Sequence, residues 1–200
     1  MINAPKKSTV PKVEVFSSKI PRPEDVPLVP IPILRASSKI LEGLKDTVHA
    51  KWAVGGDAGA VMAGVNVTPE YIEILTTKEG CDEISRALAR YQTLAPAMVE
   101  RKLPREAEID GKMLPVYIRS HYAELSVDGV KVEVHGDKQI KVGEWEWGDP
   151  LDYTADYTYI SGGRLPLVPL SLMSELDLGL GWLDHVKLIS DAVMMKFHNH

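Results

Sequence analysis

Two adjacent glycines and two glutamates on β-rich runs are the residues of this sequence best suited to chemistry. Gly55-Gly56 follows the apolar run Trp52-Ala53-Val54 and precedes the small-residue stretch Ala58–Val65. A double glycine between a strand and a helix lets the backbone approach a phosphate group closely, and the N–H groups of the helix start favour an anion. Asp57 follows directly and is counted with the turn as a candidate ligand contact, although its charge lies beside the phosphate position. Glu73 sits in the run Tyr71-Ile72-Glu73-Ile74-Leu75, and Glu133 in Val130-Lys131-Val132-Glu133-Val134. Carboxylates projecting from neighbouring strands onto one face can hold Mg²⁺. Two such ions grip a triphosphate, activate an attacking hydroxyl and stabilise the leaving pyrophosphate. Glu73 and Glu133 are therefore the candidate metal ligands and catalytic carboxylates. Plainer readings stand beside these: a tight turn for the glycines, a solvated strand carboxylate for Glu73, and the polar face of a hairpin for Glu133.

These residues need a scaffold, and the pattern supplies one. Ser38 reads as the cap of a helix with Ile40, Leu41, Leu44 and Val48 at helical spacing. Trp52–Val54 reads as a buried strand, Ala58–Val65 as a helix and Tyr71–Leu75 as a second strand. Thr76 and Glu79 form a capping box that opens a helix burying Cys81, Ile84, Leu88 and Tyr91. Further on, Ala123, Leu125 and Val127 alternate with polar residues up to Asp128-Gly129, a strong hairpin signal, after which Val130, Val132 and Val134 share a face. Short strands are expected at Ile140–Trp147 and Tyr153–Ile160, and a last amphipathic helix carries Trp182, Val186, Ile189, Val193 and Phe197.

The ordered set resembles the polymerase-beta-type nucleotidyltransferase superfamily. The matching residues are Val54–Val65, then Tyr71–Thr76, then Val132-Glu133-Val134 as the place of a third acid. The passage Ile74–Gly80, with Ile118–Tyr122 and Gly129–Asp137, is most similar to small archaeal nucleotidyltransferase-like proteins. The resemblance implies an α+β fold, a nucleotidyltransferase-like mixed β-sheet flanked by helices. It also implies a nucleoside triphosphate (NTP) ligand and Mg²⁺-dependent transfer of a nucleoside monophosphate to an acceptor hydroxyl. One departure bears on this: Tyr71 stands in the first acid position, where Glu70 could substitute only through a bulge. The alternative is a catalytically degenerate protein that uses the fold as a binding or assembly module.

The chain has 200 residues and a net charge of -5, which does not point to nucleic acid as a partner. No apolar run is long enough for a membrane span, and Met1–Lys7 lacks the apolar segment of a secretory leader, so a cytoplasmic protein is expected. The single cysteine, Cys81, excludes an internal disulfide and reads as inert core. Seven of the 14 prolines fall in the first 33 residues, which predicts an extended arm over residues 1–35 and a nucleotidyltransferase-like domain over 36–200. The uncharged stretch Val26–Leu34 is expected to pack on the body or on a second copy of the chain, giving a homo-oligomer through the arm. His121 reads as a structural hydrogen-bonding residue, and His198 and His200 as a poor metal site.

Overall fold

The computed structural model describes residues 28–161 and 163–198. It is an α+β fold built on a seven-stranded mixed sheet. The strands are β1 (Trp52–Gly55), β2 (Ile72–Thr76), β3 (Gln92–Lys102), β6 (Val116–Val127), β7 (Val130–Val142), β8 (Asp156–Ile160) and β9 (Gly163–Leu167), in the spatial order β3-β6-β7-β2-β1-β9-β8. A separate two-stranded hairpin joins β4 (Ala107–Ile109) to β5 (Lys112–Leu114). The helices are α1 (Ile31–Leu44), α2 (Gly56–Met62), α3 (Lys78–Ala87), α4 (Leu170–Gly179) and α5 (Leu183–His198).

Strand alternation sorts the apolar residues into two layers. Ile72 and Ile74 of β2, with Val132 and Val134 of β7, face Ile33, Ile40 and Leu44 of α1 and Cys81 and Ile84 of α3. Ala53 and Leu75 point the other way, to Met173 of α4 and Ile189 of α5. β2 is buried at every position because it lies in the middle of the sheet, parallel to β7 and antiparallel to β1. Asp128 and Gly129 take φ of 52° and 79°, so the β6–β7 hairpin turns as the Asp-Gly pair requires.

Several boundaries differ from the sequence reading. The expected arm, residues 1–35, lies outside the described residues as far as residue 27. Residues 31–35 are helical and not extended: α1 starts at Ile31, with Pro30 as its N-cap residue and a proline in its first turn. A proline there costs nothing, since first-turn N–H groups have no helical partner. Ile33 is consequently a core residue at 4% exposure, whereas Leu28 stands 90% exposed. Ser38 lies inside α1 and donates to the Leu34 carbonyl instead of capping. The cap of α3 is Thr77, whose hydroxyl accepts from the Gly80 amide; Thr76 ends β2 and donates to Lys51. The strand expected at Ile140–Trp147 is the end of β7, which stops at Val142. The α4 helix and the exposed edge strand β3 had no periodic signal to announce them.

Candidate functional site

β2 and β7 run parallel in a register that pairs Glu73 with Glu133. Paired residues of a parallel ladder project to the same face, so both carboxylates stand together on the side opposite α1 and α3. Both are buried, at 8% and 3% exposure. The glycine turn meets the pair from the end of β1. Gly56 has φ +55°, and a Cβ there would lie 3.2 Å from Glu73 Oε2; a Cβ on Gly55 would lie 3.5 Å from the same oxygen. Gly56, by its positive φ and this close approach, is the position where glycine lets the turn seat against Glu73, whereas the tight neighbour of Gly55 is Val168, 3.1 Å from such a Cβ.

Each carboxylate is already engaged by cations of the chain. Lys138 donates to Glu73 Oε1. Arg101 reaches Glu133 with both terminal nitrogens, at 3.3 and 2.5 Å, and Lys131 lies 2.8 Å from Glu133 Oε1. His135 sits between the two acids, its Nε2 3.2 Å from Glu133 and 3.7 Å from Glu73. Burial lowers the His135 pKa, so the imidazole is neutral near pH 7. Ser120 then donates to its Nδ1 at 2.8 Å, and its Nε2–H donates to Glu133. Burial pushes both carboxyls up, but the partners win. Lys138 holds Glu73 below the usual range, and His135, Arg101 and Lys131 hold Glu133 far below it.

Lys138 reaches this face through an irregularity. Between the pairs His121–Gly136 and Arg119–Gln139, β6 advances two residues while β7 advances three. Asp137 takes φ 49° within that β-bulge, which reverses the alternation and turns Lys138 toward Glu73. Just before the bulge, Gly136 lets β7 pack against the start of α3, since a Cβ there would lie 2.7 Å from the Thr77 carbonyl oxygen.

The remaining candidates separate. Tyr71 is 40% exposed; partial burial and then the charges of Glu73 and Glu133 raise its phenol well above the usual value, so it stays neutral. Glu70 is exposed in the bend before β2, and no described hydrogen bond or ion pair joins it to Glu73, Glu133 or their cations. Asp57 opens α2 and faces His185 Nε2 at 3.4 Å, while His185 Nδ1 donates to Asp177 at 2.5 Å. His121 bonds Asp82 of α3 at 2.9 Å, away from the pair. Cys81 is fully buried, its thiol pushed up to about 12 by burial. A groove of about 610 Å³ between α3 and β3 is lined by Glu79, Asp82, Glu83 and Arg86 and does not include the glutamate pair.

The family model for aminoglycoside-2''-adenylyltransferase matches residues 38–181. The chain belongs to that family. No curated protein matches it. A solved bacterial structure from Thermotoga maritima, named as a provisional nucleotidyltransferase, shares 26% identity and a TM-score of 0.62, covering 84% of this chain and 96% of its own.

The Mg²⁺ implied by that superfamily meets a donor set that does not suit it. Magnesium is held by free carboxylate oxygens in strict octahedral geometry. Here Glu73 Oε1 and both oxygens of Glu133 accept from Lys138, Arg101, Lys131 or His135, and Tyr71 contributes no charge. Among the described residues no group of three or more His, Cys, Asp or Glu could hold a metal ion. Among them, too, no helix is long and apolar enough to cross a membrane.

Sequence reasoning missed Arg101, Lys138 and the Asp57–His185–Asp177 contact. Lys138 stands five residues after Glu133, and strict alternation assigns it to the opposite face. Arg101 belongs to an edge strand whose residues are mostly exposed and carry no clear period.

Proposed function

We propose that this chain binds a nucleoside triphosphate where the Gly55-Gly56 turn meets the Glu73–Glu133 pair, and that its reaction is the transfer of a nucleoside monophosphate to an acceptor hydroxyl. The observation that carries this reading is the convergence of the turn and the two acids, with Glu73 in register with Glu133 and against Gly56. In that transfer the acceptor oxygen bonds to the α-phosphorus, the bond from the α-phosphorus to the bridging oxygen breaks, and pyrophosphate leaves. The hydroxyl proton passes to a base or to solvent. Gly55 and Gly56 would give the phosphates close access to the backbone, with Asp57 at the margin. Glu73 and Glu133 would orient Lys138, Arg101 and Lys131 beside them. The family description supplies ATP as the first donor to try and an aminoglycoside as the first acceptor.

Tyr71 and the ion pairs support a second reading, a family member that binds nucleotide but transfers little. One experiment separates the two. The protein is incubated with labelled ATP, Mg²⁺ or Mn²⁺ and an aminoglycoside, and pyrophosphate release and nucleotide retention are both followed. Release lost in Glu73→Ala and in Glu133→Ala supports transfer. Retention without release supports the binding module, and neither retention nor release ends both readings.

A further inference from the structure

Of the four carboxylate oxygens of Glu73 and Glu133, three are occupied by donors of the chain itself. The fourth, Glu73 Oε2, faces the Gly55-Gly56 turn. The Lys138 nitrogen bonds Glu73 from one side, and the His135 N–H lies between the acids, so an ion bridging them would have to displace both groups. The charges balance as well. Glu73, Glu133 and the rim residue Glu124, 3.3 Å from Lys131, face Lys138, Arg101 and Lys131. A site that recruits divalent metal needs uncompensated negative charge, and the two glutamates of this pair offer none, each being held by a cation of the chain.

We propose that the Lys138 ammonium, with Arg101 and Lys131, occupies the place of divalent cations in this carboxylate pair, so that the phosphates of a nucleotide are met by the chain's own cations. The phosphate half of this proposal rests on the function proposed above; the exclusion of metal does not. The three cations come from two strands and converge on one face. They keep part of their surface open, with side chains 35% exposed at Arg101, 46% at Lys131 and 15% at Lys138. An arriving phosphate oxygen can therefore bond them from outside while the glutamates hold them from within. Arg101 offers a planar fork suited to phosphate, and the lysines offer compact point charges. The bulge at Asp137 is the device that makes this possible, since without it Lys138 would leave the face.

The test uses the full chain, with Mn²⁺ uptake read by electron paramagnetic resonance and binding of a fluorescent ATP analogue read with EDTA or with Mg²⁺. The expected result is wild-type Mn²⁺ uptake no greater than that of Glu73→Gln, and ATP binding equal in the two buffers. Lys138→Met should lose about tenfold in ATP affinity in EDTA and gain a Mn²⁺ signal that Glu73→Gln then removes. Lys138→Arg should retain the wild-type pattern. Wild-type Mn²⁺ uptake that disappears in Glu73→Gln, or ATP binding abolished by EDTA, overturns the proposal. Absence of ATP binding in both buffers overturns the nucleotide reading and the phosphate half with it, while the Mn²⁺ measurement still decides whether metal is excluded. If Lys138→Met fails to fold, as its thermal melt would show, the wild-type and Lys138→Arg measurements remain decisive.

Discussion

His185 of α5 donates from Nδ1 to the Asp177 carboxylate of α4 at 2.5 Å, and so fixes the corner between the two C-terminal helices. The same ring faces Asp57 at the start of α2, 3.4 Å away. Hydrogen bonding to Asp177, then the nearby Asp57 carboxylate, raises the imidazole pKa from 6.5 to about 10. A group whose folded pKa is raised stabilises fully below its unfolded pKa and loses that contribution as pH climbs to the folded one. Stability should therefore fall between pH 6.5 and about 10, by an amount on the order of a few kcal/mol. Urea melts across that window should show the decline in the wild type and a flatter profile in His185→Gln. Equal slopes for the two proteins would contradict it.

Glu133→Ala should be among the most damaging substitutions at the site. It leaves Arg101 and Lys131 facing each other without the carboxylate that both engage. The two cations left behind are 35% and 46% exposed and can be solvated, so the loss should be roughly 1–3 kcal/mol. Arg101→Met should cost less, because Lys131 and His135 still satisfy Glu133. Chemical denaturation of both variants gives the comparison.

Gly56→Ala tests the glycine turn. The position has φ +55°, and its new Cβ would lie 3.2 Å from Glu73 Oε2. Left-handed backbone costs an L-residue roughly 1–2 kcal/mol, before the cost of moving Glu73 is added. The variant should melt at a lower temperature and also bind ATP more weakly. A stability loss with unchanged ATP affinity would place the nucleotide elsewhere.

The N-terminal helix can be probed at Ile33, which is 4% exposed and packs in the cluster with Ile40, Leu44 and Leu165. Ile33→Ala should cost roughly 2–4 kcal/mol, within the range for deleting a large aliphatic group from a core. Deleting residues 1–35 should cost at least as much, since it removes Ile33 together with the first turn of α1. Thermal melts of the two proteins measure this directly.

The parts of the fold that sequence revealed are those where one physical rule acts alone. Asp128-Gly129 demands positive φ and turns the hairpin as expected, and the alternation of Val130, Val132 and Val134 places Glu133 on the opposite face. The meeting of Glu73 with Glu133 was likewise readable, because period-two alternation fixes each side chain once the strands are neighbours. Lys138 was not, because a bulge shifts the phase by one residue and leaves no mark in the hydrophobic pattern. Arg101 was hidden because an edge strand with both sides partly exposed shows no alternation to read. The start of α1 was misread because proline, which stops a helix interior, is at home in the first turn. His185 and Asp177 lie eight residues apart on two helices, and only the corner between those helices brings them together.

The position of β9 has a consequence in time. β1 is hydrogen-bonded on one side by β2, a short distance along the chain, and on the other by β9, which ends at Leu167. At about 5–20 residues per second on the ribosome, roughly 5–20 seconds separate the synthesis of these neighbours. During that interval Ala53 and Val54, fully buried in the finished protein, belong to a strand with one open edge. The nascent chain therefore passes through a period when it can recruit foreign strands or a chaperone. Chains stopped before Gly163 should remain sensitive to protease at β1, whereas chains released after Leu167 should not.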